Sequence, residues 1–82
     1  VERCLGIYDY STEKRLHEIP LVATKEQLRH IMVPPEEDEV FYDSYVLDQE
    51  QLKKFNDLFY QTVKFESGKY YVLECWGIYD RE

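Results

Sequence analysis

Apolar and polar residues alternate through RCLGIYDY at residues 3–10, on side chains that suit a strand, and RLHEI at 15–19 returns the same short period. STEK at 11–14 supplies the turn between them, and Pro20 is expected to stop the second strand. Thr24 followed three residues later by Gln27 marks a helix start, with Leu28 and Ile31 facing one way. Pro34-Pro35 ends that helix, because the residue before a proline avoids the α region. VFYDSYVL at 40–47 reads as a middle strand, rich in β-branched and aromatic residues. Asp48 and Gln51 repeat the capping pattern and open a second helix through roughly Tyr60, with Leu52, Phe55, Leu58 and Phe59 as its apolar stripe. TVKFE, a turn at Ser67-Gly68 and a long strand from Lys69 to about Tyr79 complete the chain as a hairpin. The order β-β-α-β-α-β-β predicts an α+β fold: a single antiparallel sheet of four to five strands with two short helices on one face.

Strand parity sorts the faces. In the last strand Tyr71, Leu73, Cys75, Gly77 and Tyr79 form an uncharged row, and in the first strand Cys4, Gly6, Tyr8 and Tyr10 match it. Those rows are expected beneath the helices. The opposite face would then show Tyr70, Glu74, Trp76 and Ile78 with Ile7 and Asp9, joined by Phe41, Asp43, Tyr45 and Leu47 of the middle strand. CLGIYD at 4–9 and CWGIYD at 75–80 differ at one position. Their flanks do not match, so they read as two similar sheet environments, near neighbours rather than a tandem repeat.

Eighty-two residues make one domain, 1–82. A chain of this size buries only about 60% of its unfolded surface, so large rings carry much of its core. No run of apolar residues is long enough for a membrane span, and the first residues carry acids where a secretion signal needs an apolar stretch. The expectation is a cytoplasmic protein. Cys4 and Cys75 fit no metal spacing; they read as free thiols, with a disulfide as the alternative in a secreted protein.

Charge changes the reading most. Between His30 and Leu52 stand Glu36, Glu37, Asp38, Glu39, Asp43, Asp48 and Glu50, with no Lys or Arg among them. The remainder of the chain balances its acids and bases, so the formal net charge of −7 sits in this middle quarter. Such a field repels nucleic acid and anionic membrane and draws basic proteins in. PPEEDEVFYDSY at 34–45 also interleaves rings with the acids, which a merely solubilising face does not need. Rings anchor an interface and charge selects the partner. The candidate partner-binding set is Glu36, Glu37, Asp38, Glu39, Phe41, Asp43, Tyr45 and Asp48, with Tyr70, Glu74 and Trp76 on the open sheet face.

Catalytic chemistry finds little support. Ser11, Ser44 and Ser67 occur in no nucleophile motif, His17 and His30 stand alone, and the three glycines form no phosphate loop. EEDE places carboxylates consecutively behind two prolines, without the alternation and central glycine of a calcium loop. No enzyme activity, metal or cofactor is expected.

IYDYSTEKRLHE resembles the opening hairpin of the cloacin-type immunity proteins. The similarity continues through IMVPPEEDEV and FYDSYVLDQEQLKKF and closes with the aromatic final strand KYYVLECW. The layout is also similar to immunity proteins paired with contact-dependent growth-inhibition toxins. The resemblance implies a bacterial cytosolic protein that binds and neutralises a cognate nuclease toxin. By position, the acidic turn and middle strand would carry recognition, although DSY stands where the cloacin group has a specificity cysteine. The alternative is a non-catalytic acidic interaction module for some other basic protein.

Overall fold

The computed structural model describes residues 2–38 and 43–76, excepting the side chains of Glu2 and Trp76. The elements are β1 (Glu2–Asp9), β2 (Arg15–Leu21), α1 (Lys25–Arg29), a 3-10 turn (Glu36–Asp38), β3 (Tyr45–Leu47), α2 (Gln49–Phe59) and β4 (Lys69–Trp76). They form one four-stranded antiparallel sheet in the order β2-β1-β4-β3. The first and last strands are thus neighbours at its centre, although the similar environments expected of the two CxGIYD segments are not found: Cys4 and Cys75 take opposite faces, and residues 77–80 lie outside the described residues.

Both helices begin with reciprocal capping boxes. Gln27 N donates to Thr24 Oγ1 at 3.2 Å while Thr24 N donates to Gln27 Oε1 at 2.9 Å, and Asp48 and Gln51 make the same pair at 2.8 and 2.9 Å. Leu28 of α1 and Ile31 just after it, and Leu52 and Phe55 of α2, are buried with Leu5, Leu47, Tyr71 and Leu73 of the sheet in one core. Leu58 and Phe59 pack at its margin.

Several expected boundaries move: α1 ends at Arg29, well before Pro34-Pro35, and Asp43 and Ser44 of the expected middle strand precede β3. β2 runs through Pro20 to Leu21, because β2 is an edge strand and a missing N–H is tolerated there. TVKFE is not a strand. The Asn56 side chain donates to Val63 O and accepts from Val63 N, while the Tyr71 hydroxyl donates to Lys64 O and accepts from Glu66 N. Side chains thereby take the backbone groups that a sheet partner would have used.

The face assignment also changes for two strands. Leu5 pairs across from Leu73 and Ile7 from Tyr71, so β1 turns Leu5 and Ile7 to the helices and Cys4, Gly6 and Tyr8 to the open side. Tyr10 is exposed beyond the strand end. Tyr45 and Leu47 likewise stand opposite Leu73 and Tyr71, under the helices, leaving Val46 on the open face. The assignment of Tyr71, Leu73 and Cys75 to the covered side, and of Tyr70 and Glu74 to the open side, agrees with this register. Cys4 and Cys75 form no disulfide, and their strand parities put them on opposite faces of the sheet, which a disulfide cannot span without backbone movement.

Candidate protein-binding surface

The described parts of the acidic segment, on either side of residues 39–42, are tied together. Asp38, at the end of its 3-10 turn, is 6% exposed, and its carboxylate accepts from Asp43 N at 2.9 Å and from the Tyr45 hydroxyl. One carboxylate therefore closes the loop from inside. This corrects the expectation that Asp38 faces a partner: turned inward, it has no open side to offer. Glu36, Glu37 and Asp43 around it are exposed. Asp48 is exposed too, with Oδ1 engaged in capping α2, and Glu50 lies in the first turn of that helix.

Tyr45 records how these charges converge. Its phenol is held well above the ordinary 10.0, first by burial, then by the hydrogen bond to Asp38 and the negative charges of Asp38, Asp43 and Glu37. The ring packs against the core and its hydroxyl is tied to the loop, so Tyr45 supports the acidic surface from below. Glu39 and Phe41 lie outside the described residues. Because β3 is a sheet edge, the loop that precedes it and the helix start that follows it form one rim of the molecule.

On the open sheet face, the described side chains contact one another across the strands. Tyr8 and Tyr70 stack at 5.1 Å with their planes 9° apart. Tyr8 donates its hydroxyl to Glu74, Cys4 Sγ donates to Glu74 Oε1 at 3.4 Å, and Arg15 pairs with Glu74 at 2.7 Å and with Glu18 at 2.5 Å. The Arg15 guanidinium also lies 5.7 Å from the centre of the Tyr8 ring. Gly6 makes this possible: a Cβ there would stand 2.8 Å from Tyr8 Cε1 and 3.1 Å from Glu74 Oε1. Burial and the bond to Glu74 raise the Tyr8 pKa.

Of the expected open-face residues, Tyr70 and Glu74 are half-buried in this layer. Trp76 pairs with Glu2 through the backbone, its ring lying outside the described residues, and Ile78 and Tyr79 are outside them altogether. Tyr8, Arg15 and Val46 belong to this face and were missed. The signal was present in the sequence, since Leu5 and Ile7 have more apolar area to bury than Cys4 and Gly6 and so favour the opposite parity for β1.

A small α+β domain with an acidic rim and an aromatic, ion-paired open sheet face is thus defined. The chain belongs to DUF7683, described as a domain of unknown function, whose family model matches residues 2–73. The matched span runs from β1 to Leu73 within β4 and includes the acidic loop. No curated protein and no solved structure matches the chain. No helix among the described residues is long and apolar enough to cross a membrane.

Proposed function

We propose that this domain is a non-catalytic inhibitor that binds a basic nuclease toxin in the bacterial cytoplasm and covers its nucleic-acid-binding surface. The observation that carries the reading is the exposed set Glu36, Glu37, Asp43 and Asp48, in a segment without a single Lys or Arg, mounted on a loop that Asp38 closes from within. The sequence resemblance to cloacin-type immunity proteins supports a nuclease as the particular basic partner.

Nucleases hold phosphates with cationic surfaces, and fixed carboxylates can occupy the same positive field. Inhibition then needs no reactive group. Attraction steers the encounter, up to about 10⁸–10⁹ M⁻¹s⁻¹ at low salt, and an interface of roughly 1,600 Å² excludes the nucleic acid by bulk. The bond from Asp43 N to Asp38 helps, because carboxylates held near one another lose less conformational entropy on docking.

The test is co-expression with the product of the adjacent reading frame, followed by purification and a nuclease assay of the complex. The expected result is a stable complex whose cleavage activity is lost and returns when the domain is removed. A complex that cuts nucleic acid at full rate would favour an interaction module for a different basic protein. The absence of any complex would overturn the proposal.

A further inference from the structure

The open sheet face ends in a pocket of about 450 Å³ lined by Tyr10, Glu13, Val46 and Tyr70. Three parts of the fold meet there: Tyr10 and Glu13 from the β1–β2 turn, Tyr70 from the start of β4, and Val46 from the edge strand β3. The Tyr10 and Tyr70 rings stand edge to face, with centroids 6.2 Å apart and planes at 87°. Tyr70 is fixed on its other side by the stack with Tyr8. The turn is equally constrained. Tyr10 N donates to Gly68 O at 2.8 Å and Glu13 N to Asp9 O at 2.8 Å, while the Asp9 carboxylate accepts from Ser11 and Thr12. Glu13 adopts φ 62°, a left-handed conformation uncommon outside glycine. Its carboxylate makes no hydrogen bond or ion pair among the described residues. Tyr10 and Val46 are 71% and 64% exposed, so the pocket opens to solvent.

We propose that this pocket receives the side chain of an arginine from a protein partner. The exposed Tyr10 ring, the aliphatic Val46 and the Glu13 carboxylate complement a guanidinium on an apolar stem. The same face already shows the arrangement internally, where Arg15 lies against the Tyr8 ring and pairs with Glu74 at 2.7 Å. The Glu13 carboxylate and the net charge of −7 oppose an anionic occupant. This subsite shares only its cationic partner with the proposed function, and it is built by residues outside the acidic loop.

Titration of the isotope-labelled domain with N-acetyl-arginine methylamide, followed by amide NMR, tests the pocket without any toxin. Saturable shifts at Tyr10, Val46 and Tyr70 are expected. Glu13→Gln should weaken the affinity roughly threefold, and Tyr10→Leu should weaken it by at least that factor, with the remaining spectrum unchanged. The neutral citrulline analogue should leave those amides in place. Equal shifts with citrulline, shifts confined to residues 36–43 and 48–50, or no saturable response would overturn the proposal, and an equal response to the lysine analogue would overturn the choice of arginine. Failure here leaves nuclease inhibition standing, because that reading is tested by the complex.

Discussion

Asp38 shows how a single side chain changes the meaning of a charged run. Four consecutive acids read alike in the sequence, yet Asp38 is buried and holds Asp43 N and the Tyr45 hydroxyl, while Glu36 and Glu37 remain exposed. The difference depends on contacts made by residues five and seven positions further on. Asp38→Ala is expected to cost about 1–3 kcal/mol in urea denaturation, by leaving two donors without their acceptor, while Glu37→Gln stays within about 0.5 kcal/mol. Equal effects would mean that Asp38 does not close the loop. Tyr45 offers an independent check. Its folded pKa lies above the ordinary 10.0, so the unfolded chain loses the proton first. Its contribution to stability is complete below pH 10.0 and declines as the pH rises further. Tyr45→Phe should remove that part of the alkaline decline, measured as the urea midpoint against pH; an unaltered profile would mean that the phenol is free of the loop.

At the scale of elements, the local signals were sufficient where the chain answers to its near neighbours. Both capping boxes, the stripe of α2 and the Ser67-Gly68 turn follow from residues three or four apart. Strand faces were less legible, since Cys, Gly and Tyr fit either side of a sheet and only Leu5 and Ile7 broke the tie in β1. TVKFE carries strand-like composition, but Asn56 and Tyr71 claim its backbone groups from elsewhere in the fold. Asn56→Ala should therefore destabilise the protein by about 1–3 kcal/mol, and amide exchange should quicken at Val63 more than within α2. Uniform loss of protection would show instead that the 61–66 segment unfolds only with the whole domain. Of the candidate surface, the location of the charge was readable as composition; which carboxylate turns inward was not.

For the whole molecule, the proposed function is a matter of charge arrangement more than of any one contact. The negative field is concentrated beside the edge strand β3, and the open face adds rings around an Arg15–Glu74 pair. An isolated ion pair contributes little to affinity at a solvated rim, whereas several like charges acting together accelerate encounter. The variant that isolates this effect is Glu36→Lys with Glu37→Lys and Asp43→Lys, which spares the buried Asp38. Its fold should persist, because all three residues are exposed. The decisive measurement is its association rate with the product of the adjacent reading frame, set beside that of the unmodified domain from low salt to about 0.5 M. The account predicts a steep salt dependence for the unmodified domain and a rate at least about tenfold lower for the variant at low salt. Equal rates for the two proteins, indifferent to salt, would contradict it.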